Sequence, residues 1–105
     1  MKFGLTNEQF LLIQNTLMAM AEIERVLIFG SRAIDNYRPS SDIDLVVLGK
    51  NISRNSINKI SSALDDLPLP FMFDLLDFNS ISNIELKNKI VAHGKVFFER
   101  ELKSI

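Results

Sequence analysis

Gly30 to Leu45 reads GSRAIDNYRPSSDIDL, and the rest of the chain is best understood as support for this stretch. It follows an apolar run, Val26-Leu27-Ile28-Phe29, which stops at Gly30-Ser31. The run is rich in branched and aromatic residues, so Arg25 to Phe29 is expected to be a buried strand. Eleven residues after Ser31 come Asp42, Ile43 and Asp44. Residues two apart on a strand point the same way, so Asp42 and Asp44 set two carboxylates side by side. Like charges that close are costly unless something positive sits between them. A hard divalent cation such as Mg²⁺, which takes oxygen ligands from one or two carboxylates plus substrate phosphates, resolves that cost. Gly30-Ser31 fits the other half of such a site. A turn from a strand into a short helix over Ser31 to Asn36 leaves backbone N–H groups free for a phosphate.

Outward from this stretch, helical and extended patterns alternate. Thr6-x-x-Gln9 has the form of a capping box for a helix to about Met20, with Phe10, Ile13 and Leu17 on one face. Tyr37 to Ser41, with Pro39, is expected to reverse the chain, and Ile43 to Leu48 is a second strand ended by Gly49. Ser53 to Leu67 is a second helix, carrying Ile57, Ile60 and Leu64 on one face and stopped by Pro68 and Pro70. Phe71 to Asp77 is a third strand. Ser82-x-x-Glu85 reads as the capping box of a last helix ending at His93, with Gly94 as its C′ glycine. Lys95 to Glu99 is a final strand, and Arg100 to Ile105 is expected to fray. This alternation predicts a layered α/β (α+β) arrangement over a single domain, residues 1–105.

Asp74 is the third carboxylate of interest. It lies in an apolar strand, where a charge is expensive without a partner. Its face also carries Met72 and Leu76, whereas Asp77 falls on the opposite face near the strand end, where a solvated or capping carboxylate is the usual outcome. Asp74 is therefore favoured over Asp77. Arg32 directly follows the phosphate turn and could pair with a polyphosphate, the alternative being a surface ion pair with Asp35. His93, the only histidine, sits in a last helical turn, where the helix dipole favours a cation, and needs no catalytic role. Asp-x-Asp also opens calcium loops, but the EF-hand needs a Gly at its sixth position and a Glu at its twelfth. Counted from Asp42, these are Val47 and Ser53, so that reading fails.

Composition narrows the partners. Twelve basic and thirteen acidic residues give a net charge of −1 with no basic tract, so direct nucleic-acid binding has no support. The absence of cysteine excludes thiolate chemistry and suits a cytoplasmic protein. No signal peptide is read at the N-terminus, and no apolar run is long enough for a membrane span.

The Gly-Ser, ten residues, Asp-x-Asp spacing resembles the signature of the nucleotidyltransferase superfamily that includes DNA polymerase β and kanamycin nucleotidyltransferase. Phe29-Gly30-Ser31-Arg32-Ala33 with Ser41-Asp42-Ile43-Asp44-Leu45 is similar to its minimal nucleotidyltransferase (MNT) branch. That branch commonly reads GSRARG, where this chain has Ile34-Asp35 in place of Arg-Gly. The resemblance implies a mixed sheet with helices packed mainly on one face. It implies two metal ions, Mg²⁺ or alternatively Mn²⁺, held by Asp42, Asp44 and Asp74. It implies a nucleoside triphosphate whose β- and γ-phosphates lie on Gly30 and Ser31, with Arg32 beside them. The implied reaction transfers a nucleoside monophosphate, AMP from ATP, to a hydroxyl and releases pyrophosphate. Larger members carry a further helical domain for which no residues remain after Ile105, so a partner or a second copy is expected to complete the site. Small members resemble antitoxins that adenylylate a helical HEPN-type partner. The competing expectations are a binding module that neutralises its partner by contact alone and an enzyme modifying a small molecule.

Overall fold

The computed structural model describes residues 2–100. Helix α1 (Asn7–Met18) starts at the Thr6 capping box, in which Gln9 N–H donates to Thr6 Oγ1 and Thr6 N–H to Gln9 Oε1. Its buried residues, Ile13 and Leu17, are one turn apart. Strand β1 (Arg25–Phe29) leads into a single 3₁₀ turn (Gly30–Arg32). Strand β2 (Ile43–Leu48), helix α2 (Arg54–Asp65) and strand β3 (Phe73–Asp77) follow, then helix α3 (Ile84–His93) and strand β4 (Lys95–Glu99).

The four strands are ordered β3-β2-β1-β4. β1 pairs antiparallel with β2 and β4, while β2 and β3 are parallel. A parallel neighbour needs a crossover, and α2 supplies it. The inward-facing Val26 and Ile28 of β1 and Ile43, Leu45 and Val47 of β2 meet Ile13 and Leu17 of α1 and Ile60 and Leu64 of α2 in one buried cluster. Pairing shifts between Val26–Phe98 and Leu27–Val96, so Phe97 is the extra residue of a bulge, and both phenylalanines bury into the cluster. Phe97 packs 4.7 Å from Phe10 and 5.9 Å from Phe3, ring centre to ring centre. α3 lies towards the opposite sheet face, where Leu86 and His93 share a cavity with Phe29. The sheet therefore has α1 and α2 on one face and only α3 towards the other. No helix among the described residues is long and apolar enough to cross a membrane.

Four local expectations change. The helix expected over Ser31 to Asn36 is a three-residue 3₁₀ turn. The last helix is capped by Asn83, whose Oδ1 accepts from Glu85 and Leu86 N–H, and not by Ser82. Gly94 has φ −66°, outside the left-handed region of a C′ glycine. It is glycine for space: a Cβ there would lie 2.5 Å from Ile90 O. Arg100 is pinned, donating to the carbonyls of Met18, Met20 and Ile23, and residues 101–105 lie outside the described residues.

Candidate active site

The site begins where β1 runs out of branched side chains. Phe29 pairs with Asp44 across the antiparallel ladder, and Asp44 pairs with Asp74 across the parallel one. Asp44 and Asp74 thus stand abreast on the sheet face turned away from the main core. β3 is fixed beside β2 from its approach onward, since Ile43 N–H donates to Met72 O at 2.9 Å. Asp42 sits exposed one residue before β2.

Gly30 makes room for this cluster. Its φ is +75°, a left-handed conformation natural to glycine, and a Cβ there would lie 2.5 Å from Asp44 Oδ2. The backbone then turns tightly, with Ala33 N–H donating to Gly30 O and Asn36 N–H to Ser31 O. A single 3₁₀ turn carries little macrodipole, so a phosphate on Gly30-Ser31 would rest on backbone N–H groups and on the space glycine leaves. Gly30→Ala is expected to cost about 1–2 kcal/mol of stability, from left-handed strain and the collision with Asp44. Thermal melting and Mg²⁺-dependent tripolyphosphate binding should both report the loss, and an unchanged pair of values would remove Gly30 from the site.

Electrostatics single out Asp44. Its pKa is raised from 3.8 to about 6, first by burial, then by the Asp74 charge and a hydrogen bond to Asp74, and last by Asp42. That hydrogen bond needs a proton on one of the two carboxyls. The two residues are direct partners in the β2–β3 ladder. The trio is looser: among the described residues no three His, Cys, Asp or Glu side chains close into a ready-made metal cage. The expected convergence of three carboxylates is thus met for Asp44 and Asp74, with Asp42 at the rim. The donor set is all oxygen, which suits Mg²⁺, and the raised Asp44 pKa marks a negative cluster that a cation would relieve.

Arg32 is not at the phosphate position the sequence suggested. It is 1% exposed, and its guanidinium donates to Phe3 O, Pro39 O and twice to Ser41 O. Its guanidinium carbon lies 4.9 Å from the Phe71 ring centre and 5.3 Å from that of Tyr37. The competing ion pair with Asp35 is not formed either. An arginine beside a phosphate turn gives no sequence signal of being buried; its three carbonyl partners meet it only in the folded chain. Asp77 is a capping carboxylate, with Oδ1 accepting from Asn79 N–H and Oδ2 from the Ser80 hydroxyl.

One feature of the neighbourhood was not legible from the sequence. A cavity of about 360 Å³ opens beside the Gly30–Arg32 turn, lined by Phe29, Gly30, Ile34, Leu86, Lys89 and His93. The spacing of Lys89 and His93 shows that they share a helix face but not that the face meets Gly30.

The family model for the polymerase beta nucleotidyltransferase domain matches residues 12–103. Among solved structures, the chain superposes on a chain of a toxin–antitoxin complex crystallised with AMP-PNP, at 28% identity and a TM-score of 0.57, covering 84% of this chain and 74% of that one. It superposes on a chain from the complex of the tri-AMPylated Shewanella oneidensis HEPN toxin with its MNT antitoxin, at 27% identity and a TM-score of 0.52, covering 87% and 73%. A putative nucleotidyltransferase from Sulfolobus solfataricus, 23% identical with a TM-score of 0.55 over 87% and 77%, shares the fold. No curated protein matches the chain.

Proposed function

Because the chain belongs to the polymerase β nucleotidyltransferase family, we propose that it transfers AMP from ATP to a hydroxyl on a HEPN-type partner protein in the cytoplasm. The observation that carries this reading is the side-by-side placement of Asp44 and Asp74 against the Cβ-free face of Gly30. Solved relatives that hold AMP-PNP or accompany an AMPylated HEPN toxin support the choice of nucleotide and partner.

Asp42, Asp44 and Asp74 would hold Mg²⁺, which when bound neutralises charge on the phosphates and the attacking oxygen. The chain's own part is positioning. Gly30 and Ser31 cradle the β- and γ-phosphates. Asp74, on edge strand β3, takes the acceptor hydroxyl's proton as its oxygen attacks the α-phosphorus. The bond from that phosphorus to the bridging oxygen of the β-phosphate breaks, and pyrophosphate leaves. Holding the acceptor in line is worth much of the barrier, since proximity and orientation alone can supply roughly 7–11 kcal/mol.

In the decisive assay the chain and its partner are incubated with α-labelled ATP. Label should reach the partner with the wild type and not with Asp42→Asn plus Asp44→Asn. Equal labelling by both would sink the enzymatic reading. A second reading, protection by contact alone, is favoured by the absence of a ready-made three-carboxylate cage among the described residues. It requires the same double variant to protect cells from the partner as well as the wild type does.

A further inference from the structure

From the cavity between the phosphate turn and α3, we infer that the nucleoside half of the triphosphate binds there, with Ile34, Lys89 and His93 as its specificity-determining residues. The inference rests on the nucleotidyl-transfer reading and deepens it. The cavity shares Gly30 with the carboxylate cluster, and Gly30 itself abuts Asp44. A nucleoside is bonded directly to the α-phosphate, so it must lie within one nucleotide's length of that cluster. The β3 flank is the approach to Asp74 and is left to the acceptor. The β1 flank, where this cavity opens, is left to the nucleoside.

The lining matches that occupant. Phe29, Ile34 and Leu86 offer apolar walls for a flat base, and Lys89 and His93 add polar groups at i and i+4 on α3. No carboxylate lines the cavity, so a polyanion is not repelled there. Its 360 Å³ falls within the range of small-ligand pockets, roughly 300–1,000 Å³. Ile34 is 56% exposed, an apolar residue that packing does not require. Burial against a base accounts for it. Two other cavities of similar size, about 470 Å³ beside Leu75, Leu76, Asp77 and Ile81 and about 480 Å³ beside Met20, Asn58, Lys59 and Asp66, do not include Gly30 in their lining.

The test compares Mg²⁺ with AMP-PNP against Mg²⁺ with inorganic tripolyphosphate, by calorimetry, on the wild type and on Ile34→Ser plus His93→Ala. Both substituted side chains are solvent-exposed, and circular dichroism checks the fold. The wild type should bind AMP-PNP more tightly than tripolyphosphate. The double variant should weaken AMP-PNP about tenfold, the scale of one lost base-stacking contact, and leave tripolyphosphate within about twofold. Equal affinity of the wild type for both ligands, or an equal change of both in the variant, overturns the nucleoside cavity while leaving the phosphate site standing. Failure of the wild type, alone and with its partner present, to bind even tripolyphosphate overturns the nucleotidyl-transfer reading and this inference together.

Discussion

Asp44→Asn is expected to lower nucleotidyl transfer about a hundredfold to a thousandfold and, at the same time, to make the metal-free protein more stable at neutral pH. The two effects share one cause. Asp44 is the most enclosed of the three carboxylates, held between Gly30, Asp74 and the Phe29 pair, and its pKa stands near 6 where an unperturbed carboxyl has 3.8. In the proposed mechanism, removing its charge takes away a ligand at the point where transition-state charge is neutralised, and losses at such positions run to about 10²–10³ for a single donor. The stability sign follows from linkage. A folded-state pKa above the unfolded one means that the native chain holds the proton more tightly, so this group's favourable contribution is present below about pH 4 and lost as pH rises to about 6. Above that, Asp44 is a charged, half-buried carboxylate beside two others. Asparagine removes that penalty, which after allowance for solvent screening is worth about 1 kcal/mol. For a domain of this size that is roughly 4–8 °C in Tm. The gain should be present at about pH 8 and nearly absent at about pH 4. Added Mg²⁺ should raise the Tm of the wild type and not of the variant. A variant that melts below the wild type at every pH would show that Asp44 is a structural residue and not a strained ligand.

What the sequence disclosed of this site was the part written locally. Gly30-Ser31 ends an apolar run, Asp42 and Asp44 share a strand face, and Thr6 and Gln9 complete a cap within four residues. Each depends on neighbours in sequence; the cap and the Gly30 stop stand in the fold, whereas β2 begins at Ile43 and leaves Asp42 one residue outside the strand. The partnership of Asp44 with Asp74 was of another kind. Facing alone selected Asp74 over Asp77, but the contact exists only because α2 carries the chain across to lay β3 parallel to β2, and no periodicity states which strand lies beside which. The cap of α3 shows the limit of motif reading at close range. Ser82 and Glu85 have capping-box spacing, yet Asn83 takes the position because its side chain reaches two N–H groups one residue later. Gly94 stands where a helix-ending conformational glycine belongs and is a steric one, a distinction that needs the Ile90 carbonyl in place. The cavity between Gly30 and α3 was hidden for the same reason, since its two walls are far apart in sequence.

Arg32→Ala is expected to destabilise the protein by about 3–5 kcal/mol, a large share of the roughly 5–15 kcal/mol available to a domain. The guanidinium is buried to 1% exposure and is the common donor for three carbonyls from two separate segments, Phe3 at the N-terminus and Pro39 and Ser41 in the loop before β2. Burial lowers its pKa, an effect opposed by Tyr37 and Asp42. Alanine would strand those carbonyls and empty the space between Tyr37 and Phe71. The Ser41 carbonyl immediately precedes Asp42, so the same side chain fixes the entry of β2 to the exit of the Gly30–Arg32 turn. Arg32→Lys would keep the charge but not the fork of donors, and one ammonium cannot span three carbonyls set by a planar group. It should recover less than half of the lost stability. Thermal melting of both variants, beside AMP-PNP affinity measured well below their Tm, decides between the two roles. A fall of about 15 °C or more in Arg32→Ala fits a structural tie. An unchanged Tm with a weakened affinity would return Arg32 to the phosphates.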